Sequence, residues 1–216
     1  MTVNTGNSMD TRQRVLEAAG EVFAEKGFER ATIREIVERA GANLNAVNYY
    51  FRDKHGLYVA LFEEAHQQLA DSDQEILEAQ RDCPPQQRLR TMIAYLLRGF
   101  VLKEQAPWRM RLLLRELAEP TGVMNIIVER FIRPRFEELT AIVGELMPPE
   151  TSDLAVRLCA ESILGQCAHI AHRRAVVSQL IPGLEYTPAG IELIAAHIAG
   201  FSLAALRNFP RAETDA

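Results

Sequence analysis

Apolar residues recur at intervals of three and four along almost the whole chain, the spacing that is typical of amphipathic α-helices. No stretch alternates apolar and polar residues between turn signals, so we expect no β-strands. Glycine and proline interrupt the helical pattern at Gly27, Gly41, Pro84–Pro85, Pro148–Pro149 and Pro182–Gly183. The pattern therefore predicts an all-α protein of about nine helices.

The longer helices follow these interruptions. The first is predicted over residues 10–26, and the fifth starts after the Pro84–Pro85 break. Pro107 suits the first turn of a sixth helix that ends near Glu119. A seventh is predicted over 122–146, kinked or interrupted at Pro134, and an eighth and a ninth over 152–180 and 188–208.

The stretch from Ala31 to Leu57 has the most informative spacing in the chain. Thr32 is followed three residues later by Glu35, which predicts a capping box at the start of a short second helix. Gly41 supplies a tight turn, Asn43 caps a short third helix, and Asp53 caps a long fourth one. This order predicts a helix-turn-helix, which presents its last short helix to the major groove of DNA.

The third helix has two distinct faces. Val47 and Phe51 are one turn apart and should anchor it to the core. The opposite face carries side chains suited to base edges and phosphates, with amides for adenine and a leucine for a thymine methyl group: Leu44, Asn45, Asn48 and Tyr49. Tyr50 and Lys54 can also reach phosphate oxygens, and the free N–H groups that begin the fourth helix favour a phosphate.

The net charge of −5 does not exclude nucleic acid. Residues 10–57 contain eight Lys/Arg and eight Asp/Glu, so this segment is neutral and the excess negative charge lies beyond it. Acidic residues cluster on the first helix, whereas Arg34, Arg52 and Lys54 bracket the third helix. A DNA-binding surface depends on the local charge of one face rather than on the overall charge.

Residues 11–62 resemble the DNA-binding domain of the TetR family of bacterial transcriptional repressors. The resemblance rests on RVLEAAGEVFAEKGFERATIREIVERAGANLNAVNYYFRDKHGLYVALF, with its KGF end to helix one, its AG turn and its YYF end to helix three. It implies that Thr32 touches phosphate, and that Tyr49, Tyr50 and Lys54 clamp the DNA backbone. It also implies base contacts from Asn43, Leu44, Asn45 and Asn48. Because the position of Asn48 is often aromatic in the family, the operator sequence cannot be borrowed from relatives.

The remainder of the chain is similar to one subgroup of that family. PWRMRLLLRELAEPTG at residues 107–122 and SILGQCAHIAHRRAVV at 162–177 resemble the CecR-type regulators. The expected organisation is a disordered tail at 1–9, a DNA-binding domain at 10–57, and a ligand-binding and dimerisation domain at 58–216. Met1 and Met9 are both possible translation starts.

Apolar side chains with a few polar groups between helices five to eight are typical of a small-molecule site. The candidates for a ligand pocket are Trp108, Met110, Arg111, Arg115, Glu116, Phe131, Gln166, His169 and His172. Each of them taken singly is also compatible with a place in the core or on the surface. His169 and His172 share a helix face, but no third ligand is evident, so neither a metal nor a cofactor is expected.

The last helices are expected to form a homodimer. Ala196, Gly200 and Ala204 repeat every four residues and leave a flat strip that a partner helix could approach closely. Close packing within one subunit is the alternative. A dimer would space two recognition helices one DNA turn apart, which suits a near-palindromic operator.

Cysteine usage and apolar runs indicate the compartment. Cys83, Cys159 and Cys167 lack CxxC spacing, which favours a reducing cytoplasm over disulfides or zinc; the last two are core residues or, alternatively, a thiol sensor. The longest uncharged apolar stretch, residues 193–206, is only 14 residues long, so no membrane span is expected.

These patterns lead to three hypotheses. The first is a homodimeric repressor, bound to a double-stranded DNA operator and released by a small-molecule effector of unknown identity. The second is a helical ligand-binding or scaffold protein whose helix-turn-helix does not bind DNA. The third is an all-helical enzyme, which is disfavoured because GxSxG, HExxH, P-loop and dinucleotide motifs are missing from the sequence.

Overall fold

The computed structural model describes residues 5–101 and 107–209, without the side chains of residues 5–10, 65–77, 107 and 110. This part of the chain contains α-helices and one π-helical turn, and no strand. The all-α prediction is therefore confirmed. The helices are α1 (Thr5–Arg30), α2 (Ile33–Ala40), α3 (Leu44–Phe51), α4 (Lys54–Ala79), α5 (Pro85–Val101), α6 (Pro107–Ala118), α7 (Met124–Ile127), α8 (Arg133–Leu146), α9 (Asp153–His172), α10 (Arg174–Leu180) and α11 (Pro188–Arg207), with the π turn at Val128–Ile132 between α7 and α8.

The predicted seventh helix is divided by the π turn. Pro134 follows this turn by two residues, and a proline lacks the N–H that would bond the carbonyl of Arg130 four residues earlier. The wider π turn accommodates the missing bond and the bulk of the ring. The interruption expected from Pro134 is thus present, and it separates α7 from α8.

Two other boundaries differ from the prediction. Helix α1 begins at Thr5, five residues before the expected start, so residues 5–9 of the predicted disordered tail are helical. Residues 1–4 lie outside the described part of the chain. The predicted eighth helix is divided at Arg173 (φ −101°, ψ 20°), where neither glycine nor proline announces a break in the sequence.

The chain folds into two compact units. The first contains residues 1–68 and 106–132, and the second contains 69–105 and 133–216. The first unit therefore includes α6 and α7 together with the helix-turn-helix, whereas the functional boundary expected between residues 57 and 58 stays a prediction. The chain enters the second unit within α4.

Two glycines of α1 allow α6 to pack directly against it within the first unit. A Cβ atom at Gly20 would lie 2.4 Å from the indole carbons of Trp108, and one at Gly27 would lie 2.6 Å from Nε of Arg115. Gly20 and Gly27 are seven residues apart on α1, and the side chains that they meet, Trp108 and Arg115, are seven residues apart on α6. Because the order is the same on both helices, α1 and α6 run parallel along this contact. Gly27 (φ 79°, ψ 166°) also interrupts α1, as its position after Lys26 predicts.

The second unit is organised around α11, whose inner face is buried with α5 and α9 in one apolar cluster. The residues of α11 that are buried are Ile191, Ile194, Ala195, Ile198, Ala199, Ser202 and Leu206. By length and composition alone this helix could cross a membrane. Its inner face is buried in this cluster, and its outer face leaves Leu193 and Phe201 exposed.

The cysteines of α9 are core residues. Cys167 is fully buried, and Cys159 is half-buried against the same cluster. Burial raises the pKa of the Cys167 thiol to about 12, and it also raises the pKa of Cys159. Because the thiolate is the reactive form, these pKa values disfavour the thiol-sensor alternative.

We predict that Gly20→Ala lowers the free energy of unfolding by about 1–3 kcal/mol, because the new methyl group overlaps the buried Trp108 indole. Gly144→Ala on α8 is the matched control: its Cβ would meet only Val156 Cγ1 at 3.6 Å. That helical substitution should raise stability by about 0.5–1 kcal/mol. Urea denaturation measures both, and equal effects would contradict the packing contact.

Candidate nucleic-acid interface

The second helix begins and ends as the sequence predicts. Thr32 Oγ1 accepts a hydrogen bond from the backbone N–H of Glu35 at 3.3 Å. The Glu35 carboxylate pairs with Lys26 Nζ at 2.6 Å, and so ties α2 to α1. Gly41 has left-handed φ and ψ angles of 59° and 36° and closes the helix, which turns the chain towards α3.

Helix α3 presents one face to the core and the other to solvent. Val47 and Phe51 are buried, as predicted. Leu44 is 54% exposed and Tyr49 is 81% exposed. Asn45 and Asn48 are also exposed on this side of the helix. The structure thus leaves open to solvent the four side chains that were predicted to face DNA, although their contacts with DNA stay a prediction.

Asn43, for which a base contact was predicted, also has a structural role at the start of α3. Its Oδ1 accepts a hydrogen bond from the N–H of Ala46 at 3.0 Å and caps α3. The capping bond uses one of the two lone pairs of Oδ1, so both the amide NH₂ group and the second lone pair can serve a base contact.

The junction between α3 and α4 is strained. Among the described residues, Arg52 is the one non-glycine residue with a positive φ angle, at φ 72° and ψ −52°. The N–H of Asp53 bonds the carbonyl of Phe51 at 2.9 Å across it, which makes a γ-turn of the rare positive-φ form. Asp53 Oδ1 then accepts from the N–H of Gly56 at 2.7 Å and caps α4.

Arg52 is a candidate contact that sequence reasoning did not assign. Its side chain is exposed, and it precedes the start of α4 by two residues. Backbone strain at an exposed position is often associated with function. The arginine itself was visible in the sequence, but no local pattern announced its unusual backbone conformation.

Lys54 and Tyr50, which were also predicted to contact the DNA backbone, both make contacts within the protein. Lys54 Nζ donates to the carbonyl of Glu29 at 3.1 Å and lies 4.6 Å from the centroid of the Phe28 ring. Tyr50 is half-buried, and its ring meets that of Tyr49 edge-on with centroids 4.9 Å apart. Lys54 therefore connects the end of α1 to the start of α4 in addition to any phosphate contact.

The charged side chains of α2 are partly neutralised. Arg39 pairs with Glu25 and Glu21, and the hydrogen bond that it donates to the Glu25 carboxylate raises the pKa of the guanidinium. Arg34, whose side chain is 87% exposed, pairs with Glu38 one turn later at 2.9 Å. Exposed pairs of this kind are weak and exchange readily for other partners, so Arg34 is available to an approaching phosphate.

The residues expected to line a ligand pocket fall into both compact units. Trp108, Arg111, Arg115, Glu116 and Phe131 belong to the first unit, and Gln166, His169 and His172 belong to the second. The Met110 side chain lies outside the described part of the chain. Trp108 and Glu116 are buried, Arg115 and Phe131 are half-buried, and Arg111 is exposed.

Arg115 and Glu116 help to line a cleft of about 490 Å³ in the first unit. The end of α1, Tyr58 of α4 and the connection after α6 supply its other walls. The Glu116 carboxylate accepts hydrogen bonds from Tyr58 Oη at 2.9 Å and from the N–H and Oγ1 of Thr121 at 2.9 and 3.0 Å. Burial and this hydrogen bond raise the pKa of Tyr58, so the phenol remains the donor.

The candidates of the second unit lie on α9. Gln166 Nε2 donates to the carbonyl of Ser162, and His169 is exposed with its Nε2 3.3 Å from Arg173. His172 is half-buried, with its ring edge-on to Phe100 at a centroid distance of 5.7 Å. Burial lowers the pKa of His172, which favours the neutral imidazole.

The expected dimer strip on α11 is open at two of its three positions. Gly200 and Ala204 are exposed, and Ala196 is half-buried. A Cβ atom at Gly200 would have no neighbour within 4 Å. Sequence reasoning missed the large apolar side chains that are also exposed on α11 and on α9, which packs beside it: Leu193, Phe201, Leu154 and Leu158.

Two protein-family models match this chain. Residues 85–206 match the C-terminal domain of the HTH-type transcriptional dual regulator CecR. Residues 15–61 match the bacterial regulatory proteins of the tetR family. The first match covers more than half of the chain, and the second coincides with the helix-turn-helix.

Curated relatives are similar in the N-terminal part. The HTH-type transcriptional repressor AcnR of Corynebacterium efficiens is 38% identical over 73 residues, which cover 33% of this chain and 39% of the relative. The HTH-type transcriptional regulator BetI of Escherichia coli O139:H28 is 34% identical over 82 residues, which cover 38% of this chain and 42% of the relative. The similarity thus spans about 40% of the length of these relatives.

Solved structures share the fold over most of the chain. The fatty acid degradation regulator FadR from Bacillus halodurans has a TM-score of 0.64 at 15% identity, covering 90% of this chain and 99% of its own. FadR from Bacillus subtilis in complex with stearoyl-CoA has a TM-score of 0.63 at 17% identity, covering 89% and 97%. These likenesses establish the architecture of a helix-turn-helix followed by a helical domain.

We predict that Arg52→Gly is more stable than Arg52→Ala by about 1–2 kcal/mol, because glycine adopts a positive φ without a Cβ clash. The two variants lose the same cation, so their difference isolates the strain of the γ-turn. Urea denaturation of both proteins measures it, and equal midpoints would show that the turn is not strained.

Proposed function

The chain belongs to the TetR family of bacterial regulatory proteins, with a C-terminal domain of the CecR type, and we propose that it acts as a homodimeric transcriptional repressor. In this proposal it binds a near-palindromic operator in the cytoplasm and is released by a small-molecule effector. The family and the curated relatives are transcriptional regulators and not enzymes.

The exposed face of α3 carries the proposal of DNA binding. Its outward side chains combine amides, which can bond adenine at two positions, with an apolar Leu44 suited to a thymine methyl group. Thr32, Tyr49, Tyr50, Arg52 and Lys54 flank this face and supply groups for phosphate oxygens. Cations are few, so backbone N–H groups at the start of α4 contribute to holding the phosphates.

The apolar surface of α9 and α11 supports the proposal of a dimer. Leu154 and Leu158 lie one turn apart on α9, and Leu193 and Phe201 lie two turns apart on α11. All four are more than half exposed, between 58% and 68%, which is unfavourable for side chains of this size in water. A twofold axis would cover them with the same surface of a second copy, around the strip of Ala196, Gly200 and Ala204.

We propose that the effector is a small molecule, without assigning its identity. FadR from Bacillus subtilis, which shares the fold, is in complex with stearoyl-CoA in its solved structure. We propose that a small molecule binds within the second unit of this chain, with Gln166, His169 and His172 of α9 as the candidate contacts. Release requires that the effector bind the DNA-free conformation more tightly than the DNA-bound one.

We predict that Tyr49→Ala weakens binding to the upstream region of the protein's own gene at least tenfold, about 1.4 kcal/mol, without loss of the fold. Tyr49 is 81% exposed, and its ring meets only that of Tyr50 among the aromatic contacts of the described residues, so its removal should not disturb the core. Fluorescence anisotropy over a range of salt concentrations measures the affinity. The wild-type affinity should fall steeply with salt.

Asn48→Ala is the matched variant on the same face. A phosphate contact from Tyr49 should weaken binding equally for all operator variants, whereas loss of a base contact from Asn48 should relax selectivity at one position. If the wild-type protein showed no sequence-selective, salt-sensitive binding, a scaffold role without DNA would replace this proposal.

We predict that Leu158→Glu converts the proposed dimer to a monomer, because it places a charge within the proposed apolar interface. Leu117→Glu on α6 is the control, since Leu117 is similarly exposed, at 50%, but lies in the other unit. Analytical ultracentrifugation measures both masses. A dimer that survives Leu158→Glu would place the interface elsewhere.

A further inference from the structure

Glu116 is a charged side chain without any exposure to solvent. Removing a carboxylate from water is costly unless hydrogen bonds replace its hydration. Here three donors replace it, namely the Tyr58 hydroxyl and the N–H and Oγ1 of Thr121. Thr121 Oγ1 in turn accepts from the N–H of Val123 at 3.2 Å, just before α7 begins. A single carboxylate thus joins α6, α4 and the connection that leads to α7.

Helix α6, which carries Glu116, packs directly against α1. Gly20 and Gly27 of α1 receive Trp108 and Arg115, and Arg115 immediately precedes Glu116. Because the buried Trp108 indole fills the space of a Cβ atom at Gly20, this contact sets the position of α6 along α1. The position of the Glu116 carboxylate along α1 therefore follows from the packing of α6. The carboxylate in turn positions its hydrogen-bond donors, Tyr58 and Thr121.

The group that Glu116 binds on α4 lies one turn from the DNA-facing end of that helix. Tyr58 is fully buried, and its ring packs against Phe28 with centroids 4.9 Å apart. Phe28 also contacts the Lys54 ammonium, at 4.6 Å, and the carbonyl of Glu29 accepts the Lys54 hydrogen bond. Contacts thus run without interruption from Thr121 through Glu116, Tyr58 and Phe28 to Lys54.

We propose that Tyr58 and Glu116 are positioning residues for DNA binding. Their buried hydrogen bond, here called the α4 latch, holds the start of α4 where its N–H groups and Lys54 can meet phosphate. This inference rests on the proposed function, since it assigns positioning residues to the same DNA-binding surface.

Tyr58→Phe removes the hydrogen bond to Glu116 with the smallest possible change in the side chain. The phenylalanine ring retains the packing against Phe23, Phe28 and Phe62, and only the hydroxyl donor is lost. We expect operator affinity to fall about tenfold. In the DNA-free protein we expect faster amide hydrogen exchange over residues 54–61. Glu116→Gln should act in the same direction, and the double variant should be no worse than the more affected single variant, because both remove one interaction.

Two controls separate positioning from general stability. Ile127→Val removes one buried methylene from the same unit and lowers thermal stability without touching the latch. Arg130→Gln removes an exposed ion pair to Glu63 on α4, at 2.9 Å. Both controls should keep wild-type operator affinity and wild-type exchange over residues 54–61.

The outcomes distinguish this inference from the proposed function. If Tyr58→Phe lowers the melting temperature like Ile127→Val but keeps wild-type affinity and exchange, the latch is merely structural and the inference fails. If the wild-type protein binds no DNA, the proposed function fails, and the exchange measurement still decides whether the latch holds the start of α4. Unchanged exchange in Tyr58→Phe overturns the inference even where the operator binds.

Discussion

The close approach of α6 to α1 is the constraint on which the first unit depends. Gly20 lacks a Cβ atom, and the buried Trp108 ring lies where that atom would be. A ring buried in this way contributes a large apolar area and fixes the height of α6 along α1. From that position Glu116 reaches Tyr58 of α4. The placement of the fourth helix thus follows from two glycines on the first.

The surface offered to DNA is arranged by backbone geometry as much as by side chains. Caps at Thr32, Asn43 and Asp53 fix where three successive helices begin. The γ-turn at Arg52 leaves only two residues, Arg52 and Asp53, between the end of α3 and the start of α4. The N–H groups at this start are among the donors that the proposed function assigns to phosphate.

In the second unit, α11 contributes both to the apolar core and to the exposed surface. Helix α11 buries Ile191, Ile194 and Ile198 on one side and leaves Leu193 and Phe201 in solvent on the other. A helix that is apolar all round would otherwise suit a membrane or a fully buried core. With α9 carrying exposed leucines beside it, this pair of helices forms the apolar surface on which the proposed dimer depends.

The sequence by itself determined α2, α3, the start of α4 and the two faces of α3. These follow from local physics: a threonine or asparagine oxygen caps a helix, a glycine closes one, and apolar side chains one turn apart face inward. Only the tertiary structure showed that α6 belongs with the helix-turn-helix, that Glu116 is a buried link rather than an isolated pocket candidate, and that Arg52 has a positive φ angle. Burial, close approach and strain depend on residues far apart in the chain, so no local pattern could have announced them.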